Sequence, residues 1–187
     1  MAAKMIKKDR IAKDKERLYF INELHVSRML DYQYIVKTHE IYEVEGYFII
    51  VQDFIDGINL LQYIKVKKKL AEKVSIHVIY QLFLSISYLH QKGFVHRDIK
   101  PQNIMLRLNK IMDKSMIDKV VDFKDKYSII LIDFGLCADY NDHTPTSFLH
   151  DKSGTTGYLA PEVIKSSGGF YNERVDTFSA GMVLVEM

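Results

Sequence analysis

Residues 96–103 read His96-Arg97-Asp98-Ile99-Lys100-Pro101-Gln102-Asn103. Charged and amide side chains in this stretch stand at fixed spacings around a single aspartate. With each residue type used at about one position in twenty, a chance match to the pattern His-Arg-Asp-x-Lys-Pro-x-Asn at a given start has a probability on the order of 10⁻⁸. An ordinary solvated loop therefore does not explain the stretch.

Two further motifs lie downstream. Asp133-Phe134-Gly135 comes 35 residues after Asp98 and directly follows a strand-like apolar run at 128–132. Residues 154–162 read Gly154-Thr155-Thr156-Gly157-Tyr158-Leu159-Ala160-Pro161-Glu162. Asp-Phe-Gly is only three residues long, so alone it is a weak signal. Its place after a strand and downstream of Asp98 nevertheless makes an ordinary strand-end turn a poor explanation. The order of the three motifs is therefore as informative as their content.

In that order the motifs resemble the catalytic loop, the metal-binding motif and the end of the activation segment of protein kinases. Lys100 stands where the serine/threonine branch carries lysine. The chain thus resembles a serine/threonine protein kinase domain, loosely of the calcium/calmodulin-dependent group, although the sequence contains no calcium-binding loop. The resemblance implies an α+β fold of two lobes, with a partial small lobe over 1–56 and a partial, mainly helical large lobe over 57–187.

The resemblance also assigns catalytic roles. Asp98 is expected to be the catalytic base that faces the attacking hydroxyl, and Lys100 is expected to steady the transferred phosphate as a compact positive charge. Thr155 is expected to contact both of these side chains. Asn103 and Asp133 are expected to bind Mg²⁺, which bridges the phosphates of ATP. Phosphoryl transfer depends on such positioning more than on covalent chemistry by the protein.

Nucleotide-binding residues follow from the same resemblance. The stretch Ala2-Ala3-Lys4 is similar to the A-x-K of the third kinase strand. Lys4 is expected to reach the phosphates and to pair with Glu23, 19 positions later. Lys7 and Lys8 are close alternatives for this lysine, and ordinary core or loop positions are the alternative for the remaining residues. The adenine ring is expected to contact Ala2, the side chain of Gln52, the backbone of Asp53 and Ile55, and Met105.

Two residues are expected to bear on regulation. Asp151 lies three residues before Gly154, where many kinases carry a phosphorylated threonine that pairs with the arginine of the catalytic loop. Asp151 is therefore expected to pair permanently with Arg97, and a solvated surface aspartate is the alternative. Ser27 stands four residues after Glu23, where kinases usually carry an apolar residue, and its hydroxyl is expected to loosen the active arrangement.

Composition excludes several other classes of protein. The 26 basic and 24 acidic residues give a formal charge of +2, which is too small to indicate binding to nucleic acid or to a membrane surface. Cys137 is the only cysteine, so no internal disulfide is expected and a reducing compartment is favoured. The first 17 residues contain no apolar signal-peptide core, and the apolar runs are too short to span a membrane. We expect a cytoplasmic protein, with the nucleus as the alternative.

Hydrophobic periodicity predicts the main helices and strands. A strand is expected to about Lys8, then a helix to about Asp31, and a second strand at 47–52. Residues spaced by about four predict a long helix that ends before Gly93. The apolar residues that predict the first helix are Ile11, Leu18, Ile21, Leu24 and Met29. Those that predict the long helix are Val74, Val78, Leu82, Ile86 and Leu89.

Two later segments carry specific expectations. Residues 107–127 are charged and lack clear periodicity, so we expect a surface insertion between two strands. Residues 175–187 are expected to begin a buried helix, on which Asp176 anchors the catalytic loop in a structural role.

The resemblance also indicates what lies outside the sequence. A glycine-rich phosphate loop is expected before Lys4 and further helices after Asp176, so the chain is expected to be a fragment that is poorly active alone. An active kinase that phosphorylates protein substrates is the first hypothesis, with a regulatory partner that the sequence does not identify. A non-catalytic, kinase-like binding or regulatory module is the second. A lipid or small-molecule kinase is disfavoured because residues 154–162 resemble a peptide-binding loop.

Overall fold

A three-stranded antiparallel sheet and one long helix form the first part of the chain. The computed structural model describes residues 1–11, 14–109, 123–140, 149, 151–165 and 171–187. Strand β3 (Tyr47–Gln52) lies in the middle of the sheet, between β1 (Ala2–Lys7) and β2 (Thr38–Val44). A 3-10 turn (Lys8–Ile11) and helix α1 (Asp14–Met29) connect β1 to β2. The sequence predicts β1, α1 and β3, but β2 was not predicted.

The sheet register places the first candidate residues. Ala2 pairs with Gln52 and Lys4 pairs with Ile50. Because side chains alternate between the two faces of a strand, Ala2 and Lys4 lie on the same face. Helix α1 packs against this sheet through Phe20, whose ring centroid lies 4.6 Å from that of Phe48. The sheet and α1 therefore form one packed unit.

The buried face of α1 differs from the apolar positions that predict the helix. Leu18, Ile21 and Met29 are each about half exposed, at 50%, 51% and 51%. The helix residues buried instead are Phe20, Glu23, Val26 and Ser27, and Leu30 is buried directly after the helix. The buried face of α1 is determined by contacts with residues far away in sequence, including Lys4. Hydrophobic periodicity within the helix does not reveal such contacts.

The second part of the chain begins with two helices. Residues 53–56 lead from β3 to the short strand β4 (Gly57–Asn59), helix α2 (Leu60–Lys67) and helix α3 (Glu72–Gln91). Helix α2 was not predicted, although Asn59 and Gln62 form a capping box at its start. Helix α3 matches the predicted long helix and ends before Gly93. Among the described helices, none combines the length and apolar character that a membrane span requires.

Short strands frame the loops that follow α3. The bounds are β5 (Phe94–Val95), a 3-10 turn (Pro101–Asn103), β6 (Ile104–Leu108), α4 (Phe123–Lys126), β7 (Tyr127–Leu131), β8 (Ala138–Asp139), α5 (Pro161–Lys165) and α6 (Arg174–Glu186). Strands β4, β6 and β7 form one sheet in that order, and β5 pairs with β8. Helix α6 is the predicted final helix.

The predicted insertion at 107–127 is narrower in the structure. Arg107 and Leu108 belong to β6 and pair with Ser128 and Tyr127 of β7. Residues 123–126 form a helical turn, and the ring of Phe123 packs 5.0 Å from that of Tyr127. The sequence does not predict these pairings, because the paired ends of β6 and β7 contain charged and polar side chains. Such side chains are tolerated at strand ends. Residues 110–122 lie outside the described residues.

Backbone hydrogen bonds join the two parts of the chain near β7. The Val36 amide donates to the Leu131 carbonyl at 3.0 Å, and the Leu131 amide donates to the Tyr34 carbonyl at 2.8 Å. Leu131 is fully buried and directly precedes the Ile132-Asp133 segment. Strand β7, which leads into Asp133, is thereby fixed against the segment that leads into β2.

The single cysteine offers a test of this packing. Cys137 is fully buried, and burial raises the pKa of its thiol well above the ordinary value. We expect the native chain to resist an aromatic disulfide reagent at mildly alkaline pH, because only the thiolate reacts. After denaturation by guanidinium chloride the same reagent should label one thiol per chain. Labelling of the native chain at the rate of the denatured chain would contradict the burial.

Candidate active site

The Asp98 carboxylate is held by three side chains. Its Oδ1 accepts a hydrogen bond from Thr155 Oγ1 at 2.6 Å. Its Oδ2 lies 2.7 Å from Lys100 Nζ and accepts from Asn103 Nδ2 at 3.0 Å. Lys100 Nζ also donates to Thr155 Oγ1 at 2.7 Å. The contacts of Thr155 with Asp98 and Lys100 that the sequence predicts are therefore present, and the carboxylate has one fixed orientation.

A buried carboxylate on α6 determines the shape of this loop. Asp176, which is fully buried, accepts hydrogen bonds from the His96 and Arg97 amides, both at 2.8 Å. His90 Nε2 lies 2.9 Å from the same carboxylate. Arg97 has a φ of +64°, a conformation that costs a non-glycine residue free energy and persists only where surrounding contacts impose it. Asp176 thus has the structural role that the sequence predicts.

The His96 side chain packs inside the catalytic loop, away from solvent. Its side chain is fully buried and its ring lies edge-on to Phe134, with centroids 5.4 Å apart. The Asp98 amide donates to His96 Nδ1 at 3.2 Å. Burial lowers the pKa of His96, although the nearby carboxylates oppose the shift. The imidazole is therefore neutral near pH 7 and serves as a packing group.

A lysine of β1 links two carboxylates from other parts of the chain. Lys4 Nζ lies 2.5 Å from Glu23 Oε1 and 3.0 Å from Asp133 Oδ1. Burial disfavours the Lys4 ammonium, but Glu23 and Asp133 outweigh this effect and raise the pKa of Lys4. Burial alone would raise the pKa of Asp133, but Lys4 outweighs it and lowers that pKa. Lys4 and Asp133 are thus held as ions around neutral pH.

The predicted Lys4–Glu23 ion pair is therefore present, and neither alternative lysine takes its place. Lys8 pairs instead with Glu43, at 2.7 Å. Lys7 is exposed on the opposite face of β1 from Lys4.

A cleft of about 400 Å³ lies between Lys4 and the segment that follows β3. Its lining residues are Ala2, Lys4, Glu23, Val36, Gln52, Asp53, Phe54, Ile55, Met105, Ile132 and Asp133. The residues predicted to bind the nucleotide, together with Asp133, are all in this set. Val36, Phe54 and Ile132 were missed, although Phe54 and Ile132 are sequence neighbours of residues that were predicted.

Asn103 and Asp133 offer oxygen ligands for a divalent cation. The Asn103 amide nitrogen donates to the Asp98 backbone carbonyl at 2.9 Å as well as to its carboxylate, so the amide oxygen is the group able to bind a cation. Within the described ranges, no cluster of three or more His, Cys, Asp and Glu residues could hold a metal ion. Mg²⁺ suits such a sparse set, because it commonly keeps water and shares its remaining ligands with phosphates.

Residues 154–162 are fixed against the catalytic loop and α6. Gly154 has a φ of +128°, and a Cβ built on it would lie 2.7 Å from the Arg97 carbonyl oxygen, so only glycine fits. Ser179 Oγ donates to the Tyr158 carbonyl at 2.7 Å, and the Tyr158 hydroxyl donates to the Glu186 carboxylate. These bonds hold the segment beside Asp98.

Arg97 and Asp151 form the ion pair that the sequence predicts. Arg97 NH1 lies 2.8 Å from Asp151 Oδ1, and the two side chains are only 1% and 16% exposed. Tyr171 accepts from Arg97 NH1 at 3.1 Å and donates to the Asp151 carbonyl at 3.0 Å. The alternative of a solvated aspartate therefore does not describe Asp151. The hydroxyl residues Thr144, Thr146 and Ser147, which precede Asp151 in the sequence, lie outside the described residues.

Comparison with known proteins places these residues in a family context. A family model for the protein kinase domain matches residues 1–187. The chain is 31% identical over 183 residues to calcium-dependent protein kinase 4 of Plasmodium berghei, covering 98% of this chain and 31% of that protein. It is 33% identical over 172 residues to serine/threonine-protein kinase cds1 of Schizosaccharomyces pombe, covering 90% and 33%.

A third relative is calcium/calmodulin-dependent protein kinase type II of Caenorhabditis elegans. That protein is 32% identical over 185 residues, which cover 98% of this chain and 23% of the relative. The chain therefore spans about a third or less of the length of these curated relatives.

Ser27 provides a test of the packing beside Glu23. Its hydroxyl is buried and has no hydrogen-bond partner among the described residues. We expect Ser27→Ala to raise the free energy of unfolding by about 1 kcal/mol more than Ser87→Ala on the exposed face of α3, because an unsatisfied buried hydroxyl is costly. Both substitutions share the helix-propensity gain of alanine. Denaturant titration of the two variants measures the difference, and equal values would contradict the expectation.

Proposed function

Since this chain belongs to the protein kinase domain family, matched over residues 1–187, we propose that it transfers the terminal phosphate of ATP to serine and threonine hydroxyls of protein substrates. The observation that carries the proposal is the orientation of Asp98 by Thr155, Lys100 and Asn103 in the same chain as the Lys4–Glu23–Asp133 array. Phosphoryl transfer requires both a positioned carboxylate and a phosphate-binding cation.

Asp98 acts on the substrate hydroxyl in this proposal. Its carboxylate accepts a hydrogen bond from that hydroxyl, which orients the oxygen for attack and receives its proton as the bond to phosphorus forms. Lys100, 2.7 Å from the carboxylate, places a positive charge beside the phosphate that is being transferred. Thr155 keeps the two side chains together through its hydroxyl.

The cleft holds the nucleotide. The Lys4 ammonium, fixed by Glu23, binds phosphate oxygens at the inner end of the cleft. The apolar part of the lining, which includes Ala2 and Met105, packs against the adenine ring, while backbone groups at Asp53 and Ile55 bind its polar edge. These assignments for single residues are supported by their common location in the cleft.

Asn103 and Asp133 would hold Mg²⁺ through their side-chain oxygens. When bound, the cation neutralises negative charge on the phosphate oxygens. Asp133 contributes a carboxylate that Lys4 keeps ionised. Asn103 contributes an amide whose nitrogen is already bonded to Asp98, which couples the metal-binding residue to the catalytic carboxylate.

We also propose that Asp151 replaces an activating phosphate. Its carboxylate supplies the negative charge that binds Arg97 beside the catalytic loop. Such a pair does not depend on a second kinase, because the charge is part of the sequence. The low exposure of both side chains supports a stable pairing.

Asp98→Asn tests the proposed reaction. We expect the rate of Mg²⁺-ATP-dependent phosphorylation of a generic protein substrate to fall by about 10²–10⁴-fold, because the amide cannot act as a general base. Stabilisation of the chain by Mg²⁺-ATP in a thermal melt should persist, since Asp98 does not line the nucleotide cleft.

Asp31→Asn is the matched control, because the Asp31 side chain is 77% exposed and pairs with the exposed Lys37 at the surface. It should phosphorylate the substrate at the unaltered rate. If the unaltered chain is stabilised by Mg²⁺-ATP but transfers phosphate no faster than Asp98→Asn, the proposal is wrong and the chain is a nucleotide-binding module.

The second proposal predicts activity without phosphorylation. We expect the chain to keep its rate of phosphate transfer after treatment with a phosphatase, and Asp151→Asn to lower that rate, because Arg97 loses its anionic partner. The phosphorylation state is measured by mass spectrometry. The proposal fails if the treated chain is inactive until phosphate is added to Thr144, Thr146, Ser147 or Ser153.

A further inference from the structure

The turn between α2 and α3 exposes a dense group of lysines. Residues 60–73 contain five lysines and a single carboxylate, that of Glu72. None of the five lysines forms an ion pair within the described part of the chain. They are Lys65, Lys67, Lys68, Lys69 and Lys73. Residues 65–69, which we call the lysine turn, are all exposed, so the formal charge of +2 for the whole chain conceals a strongly basic surface.

Buried residues on both sides hold the lysine turn in place. Ile64 and Leu70 are only 7% and 6% exposed. The Lys68 amide donates to the Ile64 carbonyl at 2.7 Å, and the Leu70 amide donates to the Met187 carbonyl at 2.8 Å. The lysines between these anchors therefore project from an ordered part of the backbone.

The backbone of Lys68 shows that the shape of this turn does not require a lysine. Lys68 has a φ of +62°, a region that favours glycine because a side chain there is sterically strained. Glycine would form the same turn with less strain. The geometry of the turn therefore does not explain a lysine at this position, whereas a need for positive charge does.

A second segment adds a lysine to the same surface through an aromatic cluster. Lys67 Nζ lies 5.9 Å from the centroid of the Tyr63 ring. That ring packs against the rings of Phe123 and Tyr127, with centroids 5.7 and 6.1 Å away. Lys126 Nζ in turn lies 5.4 Å from the centroid of the Tyr127 ring. The fold thus brings lysines from two distant segments together around three packed rings.

Three features of this surface favour a lipid bilayer with anionic headgroups over other polyanions. The basic residues within 60–73 and 123–127 are all lysines, which act as point charges, whereas arginine has the fork that matches single carboxylates and phosphates. Val66, between Lys65 and Lys67, is 75% exposed, so an apolar side chain is available to enter the interfacial region of a bilayer. The three rings pack against one another, which leaves them poorly placed to stack on nucleic-acid bases.

We propose that the lysine turn binds the surface of membranes that contain anionic lipids. Val66 enters the headgroup region, and the surrounding lysines face the negative charge of the lipids. Each lysine near such a surface adds a similar attraction, which salt weakens. None of these lysines lines the nucleotide cleft, and the proposal does not depend on the proposed phosphate transfer.

Cosedimentation with lipid vesicles tests the proposal. We expect the chain to bind vesicles of phosphatidylcholine with phosphatidylserine, to bind them less as salt rises, and not to bind vesicles of phosphatidylcholine alone. A variant that combines Lys65→Gln, Lys67→Gln and Lys69→Gln should bind about a hundredfold more weakly, at roughly fivefold for each lysine.

A charge-matched control removes three lysines from exposed positions elsewhere. It combines Lys7→Gln, Lys92→Gln and Lys165→Gln and should bind the anionic vesicles nearly as tightly as the unaltered chain. Equal weakening of the two triple variants overturns the proposal, because total charge and not the lysine turn would then determine binding.

Two single variants separate membrane binding from other roles of the turn. Val66→Ser should weaken binding to the anionic vesicles about tenfold, because burial of an apolar side chain is lost, but should leave binding to polyglutamate unchanged. Lys68→Gly should weaken vesicle binding about fivefold without lowering the melting temperature, because glycine relieves the backbone strain.

The contrary results are equally specific. A chain that binds polyglutamate or single-stranded DNA but not the anionic vesicles has a different partner, and the proposal is then wrong. It is also wrong if Val66→Ser binds the vesicles as tightly as the unaltered chain, or if no polyanion is bound and the lysines are merely solvated.

Discussion

The buried carboxylate of Asp176 is the contact on which the rest of the site depends. It binds the amides of His96 and Arg97, each at 2.8 Å, and these bonds compensate a charge that is fully removed from solvent. They also impose the positive φ of Arg97. The loop that follows then places Asp98 in contact with Thr155, Lys100 and Asn103. The Arg97 side chain points toward Asp151.

Contacts extend from this anchor across the molecule. Arg97 pairs with Asp151, and Asp151 bonds to Tyr19 on helix α1. One helical turn further, Glu23 pairs with Lys4 of the sheet. A continuous series of charged and polar contacts thus connects the catalytic loop with the nucleotide cleft. The Arg97–Asp151 pair is largely shielded from water, with side chains 1% and 16% exposed, and shielding strengthens the attraction between such groups.

Motif spacing predicted the contacts around Asp98 and the Lys4–Glu23 pair, because phosphate chemistry constrains which residue types stand at which intervals. It did not predict β2, whose polar and apolar residues do not give a clear strand pattern. The spacing of Leu18 and Ile21 also suggests the wrong buried face for α1, since both side chains are exposed. The reason is related. The buried face of α1 is selected by Lys4 and by Asp151, which lie far away in sequence, and a helix contains no local signal for such partners.

Amide hydrogen exchange at His96 and Arg97 tests most directly whether Asp176 determines the catalytic geometry. In Asp176→Asn, one acceptor oxygen is replaced by a donor, so we predict faster exchange at these two amides together with a loss of phosphate transfer. Unchanged protection of both amides, or unchanged phosphate transfer despite faster exchange, would show that the loop holds its shape without Asp176.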